Sequence, residues 1–178
     1  MTSIHKHIDS VVHRCYSEKG KICHASVPQH RIAYIISGEM LVQNGSQSWV
    51  VRAGEAAFIK RDHKIHLTKQ PTEGKAFCGI FLHLDQAELK KLLGHIRLPD
   101  YQIGQKTPSL VPIEPDRHVQ QFFHELDRHF AEDQDPDPVW MQEQIREIVS
   151  IVLQQTPALV PVLFDFYVIW KPSLDTFM

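Results

Sequence analysis

The sequence predicts a mostly β protein with α-helix in its second half: a β-barrel or jelly roll followed by an α-helical hairpin. Three observations predict this. Up to about residue 84 the chain breaks into short apolar segments rich in β-branched and aromatic residues, separated by turn signals. Beyond residue 85 it changes to long stretches of Glu, Gln, Leu, His and Arg interrupted by prolines. The strand spacing also leaves no room for crossover helices. That excludes a parallel α/β sheet and requires the strands to close or sandwich to hide their edges.

Strands are expected at 10–16 (SVVHRCY), 21–27 (KICHASV), 31–37 (RIAYIIS), 39–44 (EMLVQN), 47–52 (QSWVVR), 56–61 (AAFIKR), 64–70 (KIHLTKQ) and 75–84 (KAFCGIFLHL). Asn44-Gly45 lies between two of them, the signature of a tight primed hairpin turn. Asp85 with Glu88 makes a capping box ahead of Leu89, Leu92 and Leu93, in a short helix ending about Gly94. Residues 95–113, with Pro99, Pro108 and Pro112, read as a surface loop. Pro115 suits a first helical turn, and Val119, Phe122, Phe123, Leu126 and Phe130 follow at helical spacing. Asp137-Pro138 starts a second long helix carrying Met141, Ile145, Ile148, Val149, Val152 and Leu153 along one side, and Thr156-Pro157 ends it. ALVPVLFDF makes a shorter apolar helix or turn.

The organisation expected is residues 1–84 as the β-barrel, 85–164 as a helical dimerisation subdomain packed on it, and 165–178 as a linker. A helix is expected to begin at Ser173 and stop inside itself, as in a piece cut from a longer protein.

A net charge of -2 over 178 residues gives no global attraction to nucleic acid or anionic lipid. No apolar run approaches a membrane span or a signal sequence, which fits a cytoplasmic location. Cys15, Cys23 and Cys78 are too few and scattered for a disulfide framework, and are expected to behave as small hydrophobes. The 12 histidines sit in unlike contexts, with no H-E-x-x-H. No G-x-S-x-G elbow, phosphate-binding glycine loop or C-x-x-C is present, so no catalytic residues, metal or cofactor are assigned. The helical stripe exceeds what a hairpin needs for itself. It either packs on the barrel or makes a two-fold seam, and Ile145, Ile148 and Val152 are the expected dimer contacts.

The stretch Arg31-IAYIISGEMLVQNGSQSWVVRAGEAAFIKRDHKI-His66 resembles the N-terminal regulatory domain of the AraC family of transcription regulators. Its Gly38 turn, Gly54 and the Phe58 and Arg61 pair carry the likeness. The tail LFDFYVIWKPSLDTFM is similar to the linker and first residues of that family's helix-turn-helix domain. The resemblance implies a cupin-like double-stranded β-helix (jelly-roll) barrel. It implies an effector-sensing, dimerising domain whose partners are a second copy, a small-molecule effector or regulatory protein, and DNA only through a missing C-terminal domain. Metal-binding cupins place ligands where this chain has Ser26, Pro28, Ile32 and Ile65, none of them a ligand. A metal-dependent isomerase or dioxygenase is therefore the weaker alternative, beside a stand-alone protein-binding domain. With those positions pointing inward, the implied effector-binding residues are Ser26, Ile32, Tyr34, Ile36, His63 and Ile65.

Overall fold

A computed structural model describes residues 4–8, 11–16, 21–23, 27–62 and 64–166. Among the described residues the strands are β1 (Ile4–Ile8), β2 (Val11–Tyr16), β3 (Lys21–Cys23), β4 (His30–Ser37), β5 (Glu39–Asn44), β6 (Gln47–Arg52), β7 (Ala56–Ile59), β8 (His66–Gln70), β9 (Phe77–Leu84) and β10 (Leu110–Ile113). The helices are α1 (Gln86–Leu93), α2 (Arg117–Glu132), α3 (Pro138–Gln155) and, after a 3-10 turn at Pro157–Leu159, α4 (Val160–Leu163).

The strands form two antiparallel sheets. One has six strands in the order β1-β2-β9-β4-β7-β10, the other four in the order β3-β8-β5-β6. The sheets are not closed into a barrel, so the expected jelly roll, and with it the cupin-like double-stranded β-helix, is corrected to an open two-sheet arrangement with a helical layer. The physical reason lies in β4, β7 and β9. Ala33, Ile35, Ala57, Ile59 and Phe81 pack with Met40, Val42, Val51 and Leu67 of the smaller sheet. The alternate positions Ile32, Tyr34, Ala56, Phe58, Ile80 and Leu82 pack with Phe122, Phe123, Leu126, Ile145, Ile148 and Val152 of the helices. The six-stranded sheet is thus covered on both faces by different layers. Its central strands read as near-continuous apolar runs, where a sheet with one wet face would alternate.

Three aspartates start the main helices by accepting orphan backbone N–H groups. Asp85 Oδ1 accepts from Glu88 N at 2.8 Å, Asp116 Oδ1 from His118 N at 2.8 Å, and Asp137 Oδ1 from Trp140 N at 2.9 Å. The α2–α3 connection opens on Asp133, which caps α2 in the left-handed region at φ 56°. Trp140 then closes the hairpin against Phe122, with ring centroids 5.8 Å apart.

Several local expectations change. The β5–β6 loop is Gly45-Ser46, one residue later than expected, because Asn44 pairs with Gln47 and Gly45 alone takes positive φ, at 59°. The Asn44 side chain instead donates to Ser109 Oγ at 2.6 Å and Asp62 Oδ2 at 3.2 Å. Residues 110–113, expected as loop, form β10, which pairs with β7 at the sheet edge. Edge strands tolerate a proline such as Pro112, because one row of backbone donors has no partner there. Gly38 makes the sharp β4–β5 reversal at φ 77°, where a Cβ would meet Gln70 O at 2.5 Å.

The cysteines also differ from expectation. Cys15 and Cys78 are direct cross-strand partners between β2 and β9 and are joined as a disulfide. Their separation of 63 residues hides a pairing that the strand register creates.

Candidate functional site

The strongest chemical anomaly lies between the two sheets. Side chains alternate along a strand, so Arg14 shares a face with Val12, Arg31 with Ala33 and Ile35, and Lys69 with Leu67. All these apolar neighbours belong to the inter-sheet core. Lys69 is only 3% exposed, with Nζ 4.7 Å from the Phe81 ring centroid and 5.8 Å from that of Phe77. Burial holds the Arg31 guanidinium down to about 10, and the nearby charge of Arg14 pushes in the same direction. Nε of Arg14 and Nε of Arg31 are both buried without a hydrogen-bond partner among the described residues.

Placing like charges in low dielectric together is costly, and an opposite charge or added hydrogen bonds would offset it. Arg14 and Arg31 each bring a planar five-donor fork to the sheet face that Phe77 and Phe81 also line. Gly79 stands opposite Arg14 across β2–β9. A Cβ there would come within 3.1 Å of Phe77 and 3.3 Å of Phe81, so glycine keeps the floor open.

The opposite face of β4 carries a second polar group. The Tyr34 hydroxyl lies 3.1 Å from Nε2 of His124 on α2. Its ring stacks on Phe123 at 5.0 Å and 4°. Burial raises the phenol pKa, and Asp127 adds to the effect. Tyr34 also lines a cavity of about 350 Å3 with Trp49, Val51, Ala56, Ile113 and Val119, at the β6–β7–β10 margin.

At the end of β4, His30 is buried, stacks on Phe58 at 5.5 Å, and accepts the Arg61 backbone N–H at Nδ1 (3.1 Å). Burial, reinforced by Arg61, lowers its pKa to about 4, so the imidazole stays neutral near pH 7. The Arg61 guanidinium donates to the Asp165 carbonyl at 3.0 Å and fixes the chain just beyond α4.

The residues expected from sequence to bind an effector do not share one space. Ile32, Tyr34 and Ile36 face the helical layer, whereas Ile65 lies in the inter-sheet core. Ser26 and His63 are outside the described residues. The divergence arises because the inward direction was set by a closed barrel, whereas here the two faces of β4 meet different layers. Ile145, Ile148 and Val152 are 6%, 1% and 2% exposed, each within the chain's own core. Arg14, Arg31 and Lys69 escaped sequence reading because a charge within a strand ordinarily marks the solvated face. Their alternation with Val12, Ala33 and Leu67 held the signal.

Two sheets with a helical layer carried on one of them are the architecture of the N-terminal regulatory domain of an AraC-type transcription regulator. The sequence profile described as the ExsA N-terminal regulatory domain matches residues 30–160, and the chain belongs to that family. Membership makes it a regulatory domain, not a catalytic one. No curated protein matches the chain.

Solved structures of ToxT from Vibrio cholerae are similar in fold. The apo K231A form aligns with a TM-score of 0.61 at 12% identity, covering 85% of this chain and 58% of that one. ToxT bound to (E)-4-(8-methylnaphthalen-1-yl)but-3-enoic acid aligns with a TM-score of 0.60 at 12% identity, covering 88% and 61%. ToxT bound to unsaturated fatty acid gives 0.56 at 10% identity, covering 84% and 56%. The chain therefore spans about three-fifths of the length of these relatives. No helix among the described residues is long and apolar enough to cross a membrane.

Proposed function

We propose that this chain senses an organic anion between its two sheets and passes the bound state to its helical layer, on behalf of a longer regulator that reaches DNA through a separate domain. The observation that carries the reading is that Arg14 and Arg31, both half-buried on one sheet face, each have a buried Nε without a partner among the described residues. The ligands named with two of the ToxT structures, a butenoic acid and an unsaturated fatty acid, are carboxylic acids and support an anionic effector. Strand β4 supplies the route: Arg31 points to the inter-sheet space and Tyr34, on the same strand, touches α2. Of the residues expected from sequence, Ile65 would line this effector space, while Ile32, Tyr34 and Ile36 would relay its state.

Self-association through the helical layer belongs to the same proposal. Ile145, Ile148 and Val152 are taken up by the chain's own core. We therefore assign the homodimer seam to the outward positions of α3, Val139 (63% exposed), Gln142 and Arg146.

Thermal unfolding of the 178-residue chain with oleate and with oleyl alcohol tests the effector reading, because the two probes differ in the headgroup. A specific anion at 100 times its Kd adds about 2.7 kcal/mol, which raises Tm by roughly 5–10 °C. Oleate is expected to do this and oleyl alcohol is not. Equal shifts from both, or none from oleate and from shorter carboxylates, would count against an anion site.

A further inference from the structure

The inter-sheet arginines belong to the reading above, but a second cluster on the other face of the six-stranded sheet does not. His13 and Cys15 are two residues apart on β2, so both point toward the helical layer, and β9 brings Cys78 directly opposite Cys15. One ligand atom from each of His13, Cys15 and Cys78 can be chosen so that all three lie within 4.8 Å of one another. His13 Nε2 is 3.4 Å from Cys15 Sγ and 3.7 Å from Oδ1 of Asp127 on α2. Stacking on Phe130, with ring centroids 4.8 Å apart, fixes the imidazole.

A tetrahedral zinc site with bonds of about 2.0–2.3 Å has ligand–ligand edges of about 3.5 Å. The two edges radiating from His13 Nε2 match that length. We propose that, in the reduced chain, Cys15, Cys78 and His13 form a zinc site, with Asp127 beside the fourth position. Two thiolates with one imidazole and a carboxylate suit zinc(II), since a purely sulfur set would favour copper(I).

The disulfide is the alternative state of the same residues. A low-molecular-weight thiol reduces it by exchange: two RSH give one RSSR and leave both cysteines as thiols. Zinc then displaces the two thiol protons and bonds to both sulfurs. Either state fastens β2 to β9, but only the zinc state also holds His13, and through it the α2 side chains that pack on that ring.

The test uses the 178-residue chain, reduced with a phosphine under nitrogen and titrated first with zinc alone and then with cobalt(II) alone. One equivalent of zinc per chain is expected, and cobalt should give a thiolate-to-metal charge-transfer band whose intensity indicates two sulfurs. Diamide oxidation should abolish both. Cys78→Ser should weaken zinc binding at least 100-fold, and Asp127→Asn by about 10-fold. The 12 histidines could bind metal adventitiously, so cobalt uptake without a thiolate band means an adventitious ion only and overturns the proposal. Undiminished affinity in a folded Cys78→Ser also overturns it. If that variant does not fold, the wild-type cobalt spectrum alone decides.

Discussion

The Tyr34 hydroxyl on β4 and Nε2 of His124 on α2 stand 3.1 Å apart, across 90 residues of sequence. Like the His13–Asp127 approach from β2, this contact between the six-stranded sheet and α2 is polar and directional, set beside the Tyr34–Phe123 stack. Dispersion contacts tolerate sliding, whereas a hydrogen bond reports a displacement of well under an ångström. The pair is therefore suited to transmit a small movement of β4.

Tyr34→Phe removes the hydrogen bond and keeps the ring stack. Because His124 is exposed and water can replace the phenol, the stability cost should be about 1 kcal/mol or less. Oleate affinity should change by less than about threefold, well under 1 kcal/mol. Ligand-induced slowing of amide exchange in residues 117–132, expected in the wild type, should disappear. Unchanged slowing in the variant would mean that the signal reaches α2 by another route.

His30 predicts an acid-sensitive fold. Its pKa falls from 6.5 in the unfolded chain to about 4 in the folded one, through burial and then the Arg61 charge. Between these values the unfolded state binds the extra proton. The contribution is thus fully present above pH 6.5 and lost as pH drops to about 4, on the order of 3–3.5 kcal/mol in all. Urea midpoints of wild type and His30→Gln should converge from pH 7 to pH 4.5. Parallel curves across that range would refute the assignment.

Ile148 and Val139 separate core from seam on α3. Ile148 is 1% exposed, so Ile148→Asp buries a charge in the chain's own core and should cost more than about 4 kcal/mol, unfolding the domain. Val139→Asp, at 63% exposure, should leave stability within about 0.5 kcal/mol while weakening self-association. Circular dichroism with light scattering reads both effects. A folded but monomeric Ile148→Asp would relocate the seam to the inner face.

Much of the fold was legible because local chemistry agreed with the final structure. Asp85 and Asp137 stand before apolar helical periodicity and their caps are present, whereas α2 is capped by Asp116 and leaves Pro115, expected in its first turn, outside the helix. Pro112 misled, since proline argues against a strand until its edge position is known. Barrel closure misled for a subtler reason. In β4 the run from Ile32 to Ile35 is buried on both faces, and periodicity cannot say whether the second face meets strands or helices. The candidate site was the least legible part. Cys15 and Cys78 become neighbours only through the β2–β9 register, and Arg14, opposite Gly79, comes to the same sheet face as Arg31, opposite His83, only through the β2–β9–β4 order, which no local spacing encodes.

Apo stability gives an independent view of the arginines. If Arg14 and Arg31 repel each other without an anion, Arg31→Met should stabilise the ligand-free chain by about 1 kcal/mol, because a buried unpaired charge is exchanged for apolar packing. Guanidinium denaturation measures this directly. A loss of 2 kcal/mol or so would mean that Arg31 already has its partner within the chain.

Calorimetric titration of oleate into the wild type and Arg31→Gln tests the central claim most directly. A charge-assisted hydrogen bond to a buried carboxylate is worth about 1.5–3 kcal/mol, so the variant should bind roughly 10–150-fold more weakly while unfolding at a similar temperature. Equal affinity in the two proteins would contradict an anion held by Arg31 between the sheets.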